Sequence, residues 1–406
     1  MQLPIEEKKE GTNPGQARRR RDAWRIATAI CLSVTVLMAL VAGVIALIYG
    51  SGRINNGQRD FVQYWVVGQL LVHGENPYGV EENLKLERAI GVERPYPAFN
   101  IAPNPPVIFW LALPLGLAGI RTAAMLWLLL LIAGLAVSIR IVWILNGRPS
   151  GGLHLLSLCF MPVIYCVMIG QLGILMLLCV ALFLLLHDSR PFTAGAVLAF
   201  CLVKPHLFVP LGLVLVLWVF SRRSYRVLVG FALALAAMSA IAFLLDPRAW
   251  AQWAQLMRSL ALIERPVPTL SMWFRRMVDW QATWLQFVPE AAGCAWGAWY
   301  FWTRRDRWDW MDQGLLLMIV SVGCAPFAWV TDEALLLPAI LTAAYRAQKS
   351  GRSLLPLVLI FGAELFQLLR GAGLLGSAYV WTVPAYLAWY LYATWGNERR
   401  TVESAA

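Results

Sequence analysis

Residues 122–145 have the sequence TAAMLWLLLLIAGLAVSIRIVWIL, in which Arg140 is the only charged residue. An α-helix needs about 20 apolar residues to cross the hydrocarbon core of a bilayer. Residues 225–245, YRVLVGFALALAAMSAIAFLL, have a similar length and character. The two stretches therefore predict membrane-spanning helices, and they indicate that the chain is a helical membrane protein.

The composition of the whole chain agrees with this prediction. Of its 406 residues, 59% are hydrophobic and only 14% are charged, whereas soluble domains carry about 25% charged residues. No protein interior of this size can bury so much apolar side chain, so lipid has to be the solvent for most of it. A soluble enzyme, a DNA-binding protein and a disulfide scaffold are excluded. The net charge is +11, and the basic residues lie between long apolar runs. This distribution is typical of a membrane protein, in which basic residues determine the orientation, so no nucleic-acid partner is expected.

The N-terminal region predicts a membrane anchor. Residues 1–25 are polar and end in a basic run, and residues 26–49 are apolar. This apolar segment is longer than the hydrophobic region of a cleaved signal peptide, which has about 7–15 residues. We expect a cytoplasmic basic tail at 1–25, followed by a single transmembrane domain at 26–406.

Further apolar runs alternate with two polar loops at about 50–104 and 246–285. The runs lie at 105–120, 122–145, 153–169, 172–187, 191–203, 206–220, 225–245, 286–303, 311–326, 333–345, 354–369 and 375–395. The basic clusters all fall on the cytoplasmic side if one run between 105 and 169 does not cross; they lie at 18–25, 222–226, 304–307, 346–352 and 399–400. The run 105–120 is the expected exception, because proline interrupts it. The sequence thus predicts an all-α polytopic membrane protein with about twelve crossings, both termini cytoplasmic, and amphipathic helices in two large outer loops.

The first outer loop begins with Asp60-Phe61-Val62-Gln63-Tyr64-Trp65-Val66-Val67-Gly68. Asp60, Tyr64 and Gly68 are four residues apart, so on a helix they share one face. Glycine at the third position would let a neighbouring group approach that face closely. The alternative is an amphipathic helix on the membrane surface, with Asp60 as its N-terminal cap.

Lys204-Pro205-His206 interrupts two apolar runs. Ionisable side chains in such a place indicate a functional site, because burying a charge without a partner is costly. The alternative is that Lys204 extends to the membrane interface while His206 is a solvated turn residue. Gly170-Gln171 is another polar break, which a tight helical turn explains equally well.

Asp332 and Glu333 lie next to each other at the start of an apolar run. They favour a functional role, although two acids there would also stabilise the N-terminus of the helix that follows. Arginines of the second loop could clamp a phosphate or face lipid headgroups; they are Arg265, Arg275 and Arg276.

The order of these motifs resembles glycosyltransferase family 87, whose members use polyprenyl-phosphate sugars and have the GT-C membrane fold. The resemblance extends over about residues 55–345. It rests on Asp60-Phe61-Val62-Gln63-Tyr64-Trp65, Gly74-Glu75-Asn76-Pro77-Tyr78, Asn104-Pro105-Pro106, Gly170-Gln171, Lys204-Pro205-His206 and Ala325-Pro326-Phe327-Ala328-Trp329. The mannosyltransferase branch of the family has Ser-Pro-Val-Ser-Trp and then a His pair, whereas here Trp329 is followed by Val330, Thr331 and Asp332.

The resemblance implies an inverting sugar transfer from a polyprenyl-phosphate donor to an envelope lipid or glycan acceptor at the outer face of a bacterial plasma membrane. Mannose is the sugar that the family implies by default, and neither a cofactor nor a metal is expected. Asp60 is the implied general base. The residues expected to contact substrate are Tyr64, Trp65, Gln171, Lys204, His206, Arg265, Trp329 and Asp332. The alternative is a polytopic transporter or flippase of lipids or solutes, which would also carry intramembrane charges.

Overall fold

The computed structural model describes residues 59–92, 102–259, 267–369 and 377–395. All regular structure in these ranges is helical, so the predicted all-α class is confirmed. The predicted anchor at 26–49 and both chain ends lie outside the described residues. The α-helices, numbered along the chain, are α1 (Arg59–His73), α2 (Val80–Ala89), α3 (Phe109–Gly116), α4 (Ile120–Leu145), α5 (Met161–Ile169), α6 (Gly173–Leu186), α7 (Pro191–Leu198), α8 (Val209–Arg222), α9 (Tyr225–Leu245), α10 (Ala249–Ser259), α11 (Leu270–Val278), α12 (Val288–Arg304), α13 (Leu315–Gly323), α14 (Leu337–Lys349), α15 (Leu355–Leu369) and α16 (Thr382–Thr394).

Helices α4 and α9 are long and apolar enough to span a bilayer. They contain 26 and 21 residues, which correspond to lengths of about 39 and 31 Å, against a hydrocarbon core of about 30 Å. Large apolar side chains on both helices are more than half exposed, among them Met125, Leu129, Leu233 and Leu244. These surfaces are compatible with lipid rather than water, so the protein is a membrane protein.

The other apolar helices in the described ranges are shorter, at 10–17 residues. The predicted number of twelve crossings therefore stays a prediction. The segment Pro106–Gly116 is only about 16 Å long, but the other short helices are also below the length of a span, so the choice of 105–120 as the run that does not cross stays a prediction. The predicted run 153–169 is divided at Phe160 into the 3₁₀ helix Leu153–Cys159 and α5.

Helix α1 corrects one alternative, in which the Asp60 stretch was an amphipathic helix on the membrane surface. Its side chains are buried on nearly all sides, and exposure begins only at Val72 and His73. It packs against α3 through two glycines: a Cβ atom at Gly68 would lie 2.1 Å from the Ala112 carbonyl oxygen, and one at Gly116 would lie 2.1 Å from the Gly68 carbonyl carbon. Glycine at position 68 thus admits a close neighbour, as predicted, and α1 is part of the protein core.

Glycine contacts also join α7 to α9. A Cβ atom at Gly195 would lie 1.8 Å from the carbonyl oxygen of Val227, and one at Gly230 would lie 1.9 Å from that of Phe192. Small residues let membrane helices approach closely enough for extensive backbone packing. Helices α7 and α9 are therefore held against each other through their main chains.

The second outer loop does contain an amphipathic helix, as predicted. Helix α11 buries Met272 and Arg275, while Trp273 and Met277 are exposed on its other side. Its N-terminus is capped by Thr269, whose hydroxyl accepts a hydrogen bond of 3.0 Å from the Met272 amide.

Candidate active site

Asp60 and Tyr64 lie one turn apart on α1 and both contact Gln171. The Tyr64 hydroxyl donates a hydrogen bond of 2.7 Å to Gln171 Oε1, and Gln171 Nε2 donates to Asp60 Oδ2. The face that the spacing of Asp60 and Tyr64 predicted is therefore real, and its partner is the polar break at 170–171. Because α1 begins at Arg59, Asp60 lies within the first helical turn, where the helix dipole stabilises a carboxylate.

The turn between α5 and α6 places Gln171 against α1. Helix α5 ends at Ile169, and Gly170 adopts a left-handed conformation with φ of +73°, which glycine tolerates at little cost. A Cβ atom at Gly170 would lie 2.6 Å from the Cβ of Phe61. The Trp127 indole nitrogen donates a hydrogen bond of 2.9 Å to the Gly170 carbonyl oxygen. Glycine is needed here both for the turn and for the close approach to α1.

Lys204 forms a buried ion pair with Asp332. The distance from Lys204 Nζ to Asp332 Oδ1 is 2.6 Å, and the side chains are 11% and 1% exposed. Asp332 Oδ2 also accepts a hydrogen bond of 2.9 Å from the Trp329 amide. Lys204 therefore does not extend to the membrane interface, and the partner that its burial required is an acid 128 residues away in the chain.

Two other sequence motifs hold the Lys204 turn in place. The Asn104 side chain donates a hydrogen bond of 2.9 Å to the Val203 carbonyl oxygen. The Tyr78 hydroxyl in turn donates one of 2.9 Å to the Asn104 carbonyl oxygen. Tyr78, which follows α1, and Asn104 thus fix the position of Val203, the residue before Lys204.

Asp60 and its partners are joined to the Lys204–Asp332 pair by a contact between two main-chain segments. One segment follows Gln171, and the other precedes Asp332. A Cβ atom at Gly173, the first residue of α6, would lie 2.6 Å from the Thr331 carbonyl oxygen. Burial raises the pKa of the Tyr64 hydroxyl well above its usual value, and the charges of Asp60 and Asp332 raise it further. Both acids therefore act on the same tyrosine. We call the five residues Asp60, Tyr64, Gln171, Lys204 and Asp332 the polar cluster.

His206 lies beside the polar cluster but supplies no positive charge at neutral pH. Burial lowers the pKa of its imidazole to about 4; the Lys204 ammonium acts in the same direction, and the opposing effect of Asp332 does not restore it. The ring contacts Phe327 edge-on, with centroids 6.2 Å apart. His206 could therefore contact an anion only as a neutral hydrogen-bond donor.

The two predicted tryptophans differ in their surroundings. Trp65 is 6% exposed, and its indole nitrogen donates a hydrogen bond of 3.0 Å to the Ala118 carbonyl oxygen, so it ties α1 to the turn before α4. Trp329 is half-buried and lines a small cavity together with Thr269 and Glu333. Of the two, Trp329 borders this cavity, whereas Trp65 is packed inside the protein.

Of the three predicted arginines of the second loop, Arg275 and Arg276 both contact Trp280. Arg265 lies outside the described residues. Arg275 is buried and donates to the Trp280 carbonyl oxygen at 2.7 Å and to Gln286 at 3.1 Å, so it stabilises the turn after α11. Arg276 lies over the Trp280 ring, 5.7 Å from its centroid.

Two buried glutamates, Glu333 and Glu364, lie against one helix, and this pairing was not identified from the sequence. Glu333 accepts a hydrogen bond of 2.7 Å from the Thr382 hydroxyl, and Glu364 accepts one of 2.6 Å from the Tyr386 hydroxyl. Thr382 and Tyr386 are one turn apart on α16, so the two carboxylates lie against one helix face. The signal for Glu364 was a single acid within the apolar run 354–369. Across the described ranges, no group of three or more His, Cys, Asp or Glu side chains could hold a metal ion.

Two acids and one lysine lie together among the helices of this membrane protein. Ionisable side chains in such a place indicate a functional site between the helices. The family model of glycosyltransferase family 87 matches residues 103–345, more than half of the chain. The chain therefore belongs to glycosyltransferase family 87 and is a glycosyltransferase. No curated protein and no solved structure matches the chain significantly. Gln171, Lys204 and Asp332 lie within the matched range, whereas Asp60 and Tyr64 precede it.

Proposed function

We propose that the protein transfers a sugar from a polyprenyl-phosphate donor to a hydroxyl group of an envelope lipid or glycan, with inversion at the anomeric carbon. The transfer takes place at the outer face of a bacterial plasma membrane, and mannose is the proposed sugar. The observation that carries the proposal is an acid, Asp60, held beside a buried Lys204–Asp332 pair in a chain of glycosyltransferase family 87.

Asp60 is the proposed general base. The acceptor oxygen bonds to the anomeric carbon while the bond from that carbon to the phosphate oxygen breaks, and the acceptor's proton passes to the Asp60 carboxylate. The polyprenyl phosphate leaves as an anion and needs no proton of its own. One carboxylate on the side opposite the leaving group is therefore sufficient for inversion.

Lys204 is the proposed partner of the leaving phosphate. A fixed positive charge stabilises the negative charge that develops on the phosphate during transfer. Asp332 balances this ammonium before the donor arrives and orients it through the bond of 2.6 Å. Tyr64, Trp329 and Asp332 are proposed to contact substrate, and Arg265 is proposed to contact the donor phosphate from the second loop.

The proposal is tested with Asp60→Asn. Asparagine keeps the size of the side chain and can still accept a hydrogen bond from Gln171, but it cannot take up the acceptor's proton. We expect turnover with polyprenyl-phosphate-linked mannose to fall by about 10²–10⁴-fold, with an unchanged melting temperature.

Asp188→Asn is the matched control, because Asp188 is exposed and lies in the turn between α6 and α7; it should retain full turnover. A fully active Asp60→Asn protein would contradict the assignment of the base. Transfer from a nucleotide sugar in place of the lipid-linked sugar would contradict the assignment of the donor.

A further inference from the structure

We infer that Gln171 is a positioning residue, which holds the Asp60 carboxylate in place for proton transfer, and that it is not primarily a ligand of the sugar. This inference rests on the proposed function of Asp60 as general base. It extends that function by naming a group that helps to fix the orientation of the base.

The hydrogen bonds of Gln171 determine which end of its amide faces Asp60. Gln171 Oε1 accepts a hydrogen bond of 2.8 Å from the Leu172 amide and one of 2.7 Å from the Tyr64 hydroxyl. A backbone N–H can only donate, so the atom beside it has to be the oxygen of the side-chain amide. The amide nitrogen therefore faces Asp60 and donates to Oδ2.

The main chain around Gln171 is fixed independently of any substrate. Its amide donates a hydrogen bond of 2.9 Å to the Cys166 carbonyl oxygen, and the preceding carbonyl is bound by Trp127. The side chain is 5% exposed, and both lone pairs of Oε1 are used within the protein. Its strongest remaining interaction is donation to a carboxylate, which is a charge-assisted hydrogen bond.

An anchor of this kind affects the rate of transfer rather than the affinity for the donor. A carboxylate base has to present its oxygen to the acceptor hydroxyl at hydrogen-bond distance. A displacement of about 1 Å can cost about 10²-fold in rate. A side chain that only binds the sugar would instead raise KM with kcat unchanged.

Gln171→Met tests the inference, because methionine has a similar length and cannot donate to Asp60. We expect kcat to fall by about 10–100-fold, with the donor KM changed less than twofold. Gln171→Glu keeps an acceptor for Leu172 and Tyr64 but places a carboxylate oxygen against Asp60, and it should lose at least as much. Gln367→Met is the matched control: Gln367 is half-buried and bonds to the Ala378 carbonyl oxygen in the region of α15 and α16, so normal kinetics are expected.

A double-mutant cycle separates positioning from a merely structural role. If Gln171 acts through Asp60, then Gln171→Met causes no further loss of kcat in the Asp60→Asn protein. Losses that multiply, a raised KM with normal kcat, or a fully active Gln171→Glu protein would each overturn the inference. When Asp60→Asn loses turnover to the expected extent, these outcomes leave the proposed base intact, whereas a fully active Asp60→Asn protein removes both proposals.

Discussion

Lys204 and Asp332 neutralise each other inside the protein, and this determines what a substitution at either position measures. Removing one partner of a buried ion pair leaves an uncompensated charge, which costs about 3–5 kcal/mol. Loss of activity after a single substitution would therefore combine unfolding with loss of the phosphate partner. Removing both charges together separates the two effects.

We expect Lys204→Met to lower the melting temperature strongly and to abolish donor use. The double variant Lys204→Met with Asp332→Asn should recover most of the stability, because no buried charge remains, while donor use stays lost. Melting curves and turnover with a polyprenyl-phosphate sugar, measured on both proteins in detergent, test this. Recovery of turnover together with stability would show that the pair is only structural.

The sequence identified Lys204 and Asp332 as unusual residues but could not join them. Each is an ionisable side chain next to an apolar run, and this local signal is visible without a structure. Their pairing depends on a contact across 128 residues, for which a single sequence carries no signal. Gln171 was visible as a polar break, but the bonds to Tyr64 and Asp60 depend on how the 170–171 turn meets α1.

At the scale of helices, the sequence predicted where the apolar helices lie better than how they pack against one another. Hydrophobic length gave α4 and α9 correctly, because a spanning helix is a local property of composition. The same reasoning allowed α1 to be a surface helix, since its burial depends on the contact between Gly68 and Gly116. Helix packing through glycines is therefore the feature that most needs a direct test.

Gly195→Ala is expected to destabilise the protein by about 1–3 kcal/mol, because its Cβ would meet the Val227 carbonyl oxygen at 1.8 Å. Gly212→Ala on α8 is the matched control. No atom lies within 4 Å of a Cβ at that position, and alanine is the better helix former, so stability should be unchanged or slightly higher. Thermal unfolding of the two variants in the same detergent decides the matter; equal melting temperatures would show that α7 and α9 are not tightly packed.

At the scale of the whole molecule, α9 determines the relative sides of the turns at its two ends. A helix of 21 residues is about 31 Å long, enough to separate the basic turn at 222–226 from α10. The positive-inside rule places the basic turn in the cytoplasm. We therefore predict that the second polar loop, which contains α10, faces outwards, on the proposed side of the reaction.

Cysteine labelling in intact cells tests this arrangement in a background without the native cysteines. Gln255→Cys should react with an impermeant reagent, and Arg223→Cys should be protected until the membrane is opened. Both positions are exposed on the protein surface, so protection would report sidedness rather than burial. Labelling of both positions from outside would refute the orientation of α9.

The burial of the Lys204–Asp332 pair has a consequence for side reactions. In the proposed transfer, Asp60 becomes neutral while the departing phosphate gains one negative charge, so the reaction relocates a charge without changing the total. The charge moves toward an ammonium that is already fixed and 11% exposed, and solvent is not required to stabilise it. A site that solvates the leaving group with its own lysine can exclude water during transfer. If the proposed transfer is correct, the activated sugar is thereby protected from hydrolysis and reaches the acceptor hydroxyl instead.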